Sequence, residues 1–156
     1  MSTDPEAESG IYARESAYLE RYVQVGVASG RVLSVAFPAT PDAADEALPL
    51  LDRIDAYLEG NADDFDDVPV AMTMPTDRAD VLEAVRSIPY GEDVSVEQVA
   101  RMTPGFDPES AEDHQLIRTA LAENPAPLIV PDHRVRDGPS AAPPEVEQRL
   151  RSLEGI

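Results

Sequence analysis

Residues 124–135 read Asn-Pro-Ala-Pro-Leu-Ile-Val-Pro-Asp-His-Arg-Val. The predicted elements on either side are organised around this stretch. Because proline cannot continue a helix, Pro125 predicts that a helix ends at Asn124. A short apolar run follows, and Pro131 stops that run just before three polar residues. We therefore expect a turn that presents these three side chains together: Asp132, His133 and Arg134.

The composition is strongly acidic. The 156 residues contain 31 acidic and 12 basic side chains, a net charge of -19, and every basic residue is arginine. Hydrophobic residues make up 42%, which is enough for a core. An acidic composition on a chain with helical periodicity predicts a salt-adapted cytoplasmic protein of a haloarchaeon rather than a disordered acidic interaction protein.

The sequence has no cysteine, which excludes a disulfide framework, a thiolate metal site and a thiol nucleophile. No apolar run approaches the roughly 18 residues of a membrane span, and the N-terminus lacks the pattern of a secretory signal. We therefore expect a soluble cytoplasmic monomer with no membrane partner, no metal and no cofactor.

The first half of the chain predicts a small α/β domain over residues 11–60. Segments 22–27 and 31–37 are rich in β-branched residues and form a predicted hairpin, to which a third strand is added near 13–18. Residues 42–58 carry apolar residues at helical spacing, with Pro49 either opening or kinking that helix.

Two segments are predicted to lie outside the domains. Residues 1–10 are mostly carboxylic or hydroxylic and predict a mobile leader. Residues 61–68 carry a run of aspartates and predict an acidic linker. That run lacks the glycine and closing glutamate of a calcium-binding loop, so we expect a solvated loop.

Residues 69–156 predict a helical domain. Ser95 and Gln98 form a capping box, and Ser110 is a second N-cap. The predicted helices cover 77–88, 95–102, 110–124 and 143–153. The second and third helices, followed by residues 124–135, give the pattern of a helix-turn-helix with a winged-helix tail.

Four short motifs carry a family resemblance. They are Ile-Pro-Tyr-Gly-Glu at 88–92, Asn-Pro-Ala-Pro at 124–127, His-Arg-Val at 133–135 and Leu-Glu-Gly at 153–155. In this order and spacing, the chain resembles the alkylguanine-DNA alkyltransferases, also called methylated-DNA-protein-cysteine methyltransferases. The resemblance implies a ribonuclease-H-like N-terminal domain, a helix that enters the DNA minor groove, and a base that flips into a pocket.

The resemblance places Asp132 where the family's Pro-Cys-His-Arg signature has the alkyl-accepting cysteine. His133 and Glu154 match the residues that polarise that cysteine, and Asn124 matches the hinge asparagine. The lid between the active-site turn and the last helix is replaced by residues 138–144. The base pocket that the resemblance implies consists of Asn124, Pro131, Asp132, His133, Arg134 and Val96.

Other positions depart from the family at the expected DNA interface. Val96 replaces the tyrosine that follows the serine at Ser95, and Gln115 replaces the arginine that fills the gap left by the flipped base. Arg118 and Thr119 replace small residues on the helix face against DNA. The implied DNA-binding residues are Ser95, Gln115, Arg118 and Thr119.

Three functions follow as hypotheses. The first is an alkyltransferase-like protein that binds duplex DNA, senses alkylated guanine or another altered base by base flipping, and recruits repair proteins. It transfers no alkyl group, because an aspartate with a pKa of about 4 is a weak nucleophile, so no catalytic residue is expected. The alternative is a degenerate relative that serves as a protein-interaction module without DNA. A further alternative is an active methyltransferase, but the absence of a cysteine thiol argues against it.

Overall fold

The computed structural model describes residues 9–41, 45 and 47–156. Most of the predicted leader, residues 1–8, lies outside this part, as do 42–44 and 46 of the predicted first helix. The described residues form a three-stranded sheet with one helix against it, followed by a cluster of helices. Among them no helix is both long and apolar enough to cross a membrane.

The sheet is antiparallel, with strands β1 (Gly10–Ser16), β2 (Arg21–Ala28) and β3 (Arg31–Ala36) in that order. The predicted hairpin is confirmed as β2 and β3. Its turn uses Ser29 and Gly30, both with positive φ, which matches the right-handed twist of the strands. The inward residues of the sheet form one side of the core.

Helix α1 (Pro49–Leu58) packs on this sheet. Of the two alternatives predicted for Pro49, the structure shows that it opens the helix, which suits a proline in the first helical turn, and that residues 47–48 before it are not helical. The helix is tied to β1 by Arg14, whose guanidinium donates to Asp52 at 2.6 Å and to Asp55 at 2.9 Å.

The acidic segment 61–68 is packed against both halves, unlike the solvated loop that the sequence predicted. The side chain of Phe65 is 1% exposed, and its ring lies 5.6 Å from that of Tyr57. Arg53 on α1 pairs with Asp63 and Asp67, each at 2.9 Å. One buried aromatic and these ion pairs therefore anchor a run of aspartates that could not fold alone. The domain boundaries stay predictions.

The second half contains α2 (Thr76–Arg86), α3 (Val96–Met102), α4 (Ala111–Ala122) and α5 (Pro144–Glu154). The predicted capping box is confirmed, since the Ser95 hydroxyl accepts from the Gln98 amide at 3.1 Å and the Gln98 side chain accepts from Ser95 at 2.8 Å. Ser110 caps α4 as predicted. Helices α2 and α3 both pack against α4, which fixes where the chain enters residues 124–135.

Candidate functional site

Residues 124–135 form a compact buried turn. The apolar run 128–130 forms a tight turn that is closed by a bridge between Pro127 and Val130. Leu128 has a φ of 81°, a conformation that side chains other than glycine rarely adopt. A single 3-10 turn, Asp132–Arg134, follows Pro131, and all three of its side chains are about 1% exposed. The turn therefore brings the three polar residues together, but points them inward.

Asn124 joins the end of α4 to this turn. Its side-chain amide donates to the Val130 carbonyl at 3.0 Å and to Asp132 Oδ2 at 3.0 Å, and its carbonyl accepts from the Ala126 amide at 3.0 Å. It is 4% exposed. The residue thus satisfies buried backbone groups of the turn and holds one oxygen of Asp132.

Asp132 is surrounded by hydrogen-bond donors. The Ser140 hydroxyl donates to Oδ1 at 2.6 Å, and the Ala141 amide donates to Oδ2 at 2.9 Å, beside the bond from Asn124. Burial raises the pKa of Asp132, although these hydrogen bonds and the nearby His133 counteract that rise. The carboxylate is therefore a buried, fully engaged acceptor rather than an exposed group facing an open pocket.

Residues 138–143, called the strap here, connect the 3-10 turn to α5 and cover Asp132. The strap passes so close to α4 that a Cβ on Gly138 would lie 2.7 Å from Leu121 Cδ1, which explains the glycine. Ser140 and Ala141, both in the strap, each donate a hydrogen bond to the Asp132 carboxylate. Asp132 therefore fastens the strap over the turn.

His133 bonds to Glu154 across the gap between the turn and α5. Its Nε2 lies 2.6 Å from Glu154 Oε2 and 3.4 Å from the Tyr57 hydroxyl. Since a carboxylate only accepts, Nε2 carries the proton. Nδ1 is buried and has no partner among the described residues. The imidazole is thus held in one orientation with its other nitrogen free.

Arg134 makes a two-pronged ion pair with the same glutamate. Its Nε donates to Glu154 Oε1 at 2.8 Å and its Nη2 to Oε2 at 3.1 Å. Its Nη1 donates to the Ile88 carbonyl at 2.7 Å and to Asp64 at 3.1 Å. A buried guanidinium with planar, two-point pairing is rigid, so Arg134 serves as a structural cross-link here.

Glu154 is the centre of the cluster. Besides His133 and Arg134, it accepts from the Tyr57 hydroxyl and from the Gly91 amide at 3.0 Å. Burial alone would raise the pKa of Glu154, but the bonds from His133 and Arg134 outweigh it and lower the pKa to about 2. Burial, and next the Glu154 charge, raise the pKa of Tyr57, so its hydroxyl stays protonated. The glutamate is therefore ionised at neutral pH.

Sequence reasoning missed several residues that build this site: Tyr57, Asp64, Ser140 and Ala141. The helical spacing within 42–58 predicts Tyr57 only as one of the apolar residues that face the core. Asp64 had been placed in the solvated linker, yet it accepts from the Tyr90 amide at 2.7 Å as well as from Arg134. A buried tyrosine hydroxyl needs a partner, which was the one signal available for Tyr57.

The predicted DNA-facing residues lie on α3 and α4, apart from the buried cluster. The Ser95 hydroxyl is used in the capping box, and Val96 is 1% exposed with its amide bonded to Asp137 at 2.7 Å. Val96 therefore packs in the core. On α4, Gln115 is exposed, while Arg118 and Thr119 are half-buried on the same side of the helix.

The described residues contain no group of three or more acidic or histidine side chains arranged to hold a metal ion. The site is a polar cluster of one ionised glutamate, one arginine, one histidine and one buried aspartate, enclosed by apolar residues of both halves. Such an arrangement can orient an imidazole beside the residue at position 132. It contains no thiol to use that orientation.

Comparison with known proteins shows the family to which these residues belong. The family model of the 6-O-methylguanine DNA methyltransferase DNA-binding domain matches residues 77–154, half of the chain. This chain belongs to that family.

Two relatives and one solved structure give the extent of the similarity. The methylated-DNA--protein-cysteine methyltransferase of Metallosphaera sedula is 31% identical over 110 residues, 68% of this chain and 66% of the relative. The protein of the same name from Methanopyrus kandleri is 37% identical over 83 residues, 53% of this chain and 57% of the relative. The matches thus span less than two thirds of either relative.

The solved structure is Mycobacterium tuberculosis OGT in complex with DNA. It matches with a TM-score of 0.69 at 20% identity and covers 93% of this chain and 90% of that one. At this identity the match establishes the fold. The sheet-and-helix half and the helical half are therefore both parts of the family's architecture.

Proposed function

We propose that this chain binds duplex DNA and recognises altered bases without transferring an alkyl group. One observation carries the proposal: the residue at the acceptor position is Asp132, buried and held by three hydrogen-bond donors, in a chain without cysteine. The family membership supports DNA as the partner, and the retained cluster around Glu154 supports a preserved recognition site.

Alkyl transfer to Asp132 is disfavoured on two grounds. A carboxylate attacks an alkyl ether poorly compared with a thiolate, and each hydrogen bond to its oxygens further reduces its nucleophilicity. At 1% exposure, Asp132 also offers no open approach while the strap is in place. The residue is better suited to hold a partner than to react with one.

In this proposal an altered base flips from the duplex towards the turn. The residues proposed to surround it are Asn124, Pro131, Asp132, His133 and Arg134, with Val96 behind them. Base entry requires the strap to release Asp132, since Ser140 and Ala141 occupy its oxygens. The free Nδ1 of His133 is the polar atom of the cluster that still lacks a partner within the described part of the chain.

The chemistry of Asp132 selects among bases. A carboxylate accepts hydrogen bonds and cannot donate them, so it repels the bare oxygen of an alkylated guanine and suits an exocyclic amino group such as N4 of cytosine. A base that presents an amino group is therefore the candidate that this carboxylate favours, whereas family membership supports alkylated guanine as the other candidate.

The DNA-facing surface in this proposal consists of Ser95, Gln115, Arg118 and Thr119. At high salt the screening length falls to about 3 Å, so local charge outweighs the net charge of the protein. We further propose a salt-adapted cytoplasmic monomer that signals to repair proteins, with a winged-helix second half and a ribonuclease-H-like first half.

A protein-interaction module without DNA is the second candidate. Two observations favour it: Val96, at the family's tyrosine position, is a buried core residue, and the net charge of -19 opposes phosphate binding. It predicts equal, negligible binding of intact and altered duplexes at every salt concentration.

The test is fluorescence anisotropy of duplexes that differ in a single O6-methylguanine or a single mismatched cytosine, in about molar KCl to screen surface charge. The proposal expects a preference for an altered duplex that changes in Asp132→Asn and not in Asp66→Asn. Asp66 is an exposed aspartate of the packed acidic segment and serves as the matched control. Negligible binding of all duplexes by the wild type would favour the interaction module, and equal, measurable binding would overturn the recognition of altered bases.

A further inference from the structure

Arg118 has no partner among the described residues, which distinguishes it from the other arginines of the helical half. Within residues 69–156, all of which the structure describes, its guanidinium makes no hydrogen bond and no ion pair. Its side chain is half-buried on α4, so the stem is partly covered while the charge is uncompensated.

The remaining seven arginines of this half are all held by the protein itself. Four bind carboxylates on the surface, three of them at 2.6 to 3.4 Å and the fourth, Arg149, through Glu20, and the rest bind backbone carbonyls or the buried Glu154. They are Arg78, Arg86, Arg101, Arg134, Arg136, Arg149 and Arg151. Although the chain has 31 acidic residues, Arg118 is the one arginine within residues 69–156 that none of the described residues pairs.

The surroundings of Arg118 keep it unpaired. The residues one turn away on α4 are His114, Gln115, Leu121 and Ala122, none of them a carboxylate. Of the acids at the end of α4 and on α3, Glu123 binds Arg78 of α2 at 3.3 Å and Glu97 binds Arg101 at 2.6 Å. The positions one turn away on α4 therefore supply no carboxylate that would compete with an external anion for this guanidinium.

We propose that Arg118 is the phosphate-binding cation of α4, and that the anion it binds is the backbone of duplex DNA. This inference rests on the proposed function and names the residue through which an acidic protein gains its electrostatic contact. A guanidinium offers a planar fork of donors to phosphate oxygens, and each such contact releases counterions. Gln115 and Thr119, on the same side of the helix, supply neutral contacts.

The experiment measures the affinity for a duplex with a single O6-methylguanine in KCl from about 0.1 to 1 M. It compares the full chain with three variants. Arg118→Ala removes the cation, and Arg118→Lys keeps the charge without the fork. Arg31→Ala is the matched control, because Arg31 is exposed at the start of β3 and is also without a partner among the described residues. Urea unfolding verifies that each variant folds.

We expect Arg118→Ala to weaken binding on the order of tenfold at the low-salt end and to reduce the slope of log affinity against log salt by about 0.9. Arg118→Lys keeps the slope, and Arg31→Ala binds like the wild type. If Arg118→Ala keeps the wild-type affinity and slope, or if Arg31→Ala loses as much, the assignment of Arg118 is overturned while DNA binding stands. If the wild type binds no duplex at any salt, the proposed function itself fails.

Discussion

The hydroxyl of Ser140 donates a hydrogen bond of 2.6 Å to the carboxylate of Asp132, which fastens the strap to the residue in the acceptor position. The Ala141 amide adds a second bond at 2.9 Å. The substitution at position 132 therefore changes more than the reactive group, because the new side chain also closes the cover above it. In this chain, the side chain at position 132 therefore connects the 3-10 turn to the strap.

If Asp132 holds the strap closed, Asp132→Asn should loosen it. An asparagine has one accepting oxygen where the aspartate has two, and a neutral amide oxygen accepts more weakly than a carboxylate, so the hydrogen bonds from the strap are weakened. We expect hydrogen exchange of the Ala141 amide to accelerate about tenfold or more, since a hydrogen bond to a charged group contributes about 1.5 to 3 kcal/mol.

The control for this measurement is Asp137→Asn, which removes a carboxylate that binds the Val96 amide beside the strap. It should leave exchange at Ala141 unchanged. Equal acceleration in both variants would mean that the strap responds to any loss of charge nearby, and Asp132 would lose its special role.

A thiol at position 132 should regain alkyl acceptance. The imidazole of His133 is held by Glu154 at 2.6 Å with its Nδ1 free, so the group that could polarise a neighbouring thiol is in place. We expect Asp132→Cys to gain the mass of one methyl group on incubation with an O6-methylguanine duplex. The measurement is intact-protein mass spectrometry.

Asp66→Cys places an exposed thiol elsewhere in the chain and should gain no mass, which separates a site effect from general thiol alkylation. Methylation of the wild-type protein at Asp132 would contradict the proposal of a non-transferring protein. No gain in Asp132→Cys would mean that the cluster has lost the ability to activate a thiol.

Glu154 should make stability depend on acidic pH. Its pKa is about 2 in the folded protein against 4.5 ordinarily, a lowered value, so its contribution is fully present above pH 4.5 and is lost as pH falls towards 2. At about 1.4 kcal/mol for each pH unit, the contribution is about 3 kcal/mol. The difference in unfolding free energy between wild type and Glu154→Gln should therefore narrow over this window.

Urea unfolding at a series of pH values measures this difference, and Glu97→Gln is the comparison because Glu97 pairs with Arg101 on the surface. Surface pairs contribute about 0 to 1 kcal/mol, so Glu97→Gln should show almost no pH-dependent difference. A gap between wild type and Glu154→Gln that stayed constant from pH 6 to pH 2 would count against the ionised, bonded glutamate.

Tyr57 should couple the sheet half to the helical half. Its hydroxyl, on α1, donates to Glu154 on α5, so Tyr57→Phe removes a buried donor to a charged group. We expect a loss of about 1 to 3 kcal/mol in unfolding free energy. Tyr18→Phe, which removes a more exposed bond to the Arg149 carbonyl, should lose less, and an equal loss in both would argue against a special role for the buried bond.

Much of the local structure was predictable because its causes are local. Pro49 and Pro144 begin helices, and Ser95 and Ser110 cap them, as short-range patterns require. For the first helix the sequence left two alternatives, that Pro49 opens the helix or kinks it, and the structure shows that Pro49 opens it. The family was recognised from four motifs that lie far apart but in a fixed order.

The sequence by itself determined the family, the absence of a thiol and the presence of Asp132 in the acceptor position, since these follow from residue identity and order. Only the tertiary structure decided what Asp132 does, because its donors come from the end of α4 and from the strap. The same holds for Arg118: its charge is visible in the sequence, but its lack of a partner depends on where every nearby carboxylate lies. Pairing of charges is a property of three-dimensional proximity, which local sequence patterns do not encode.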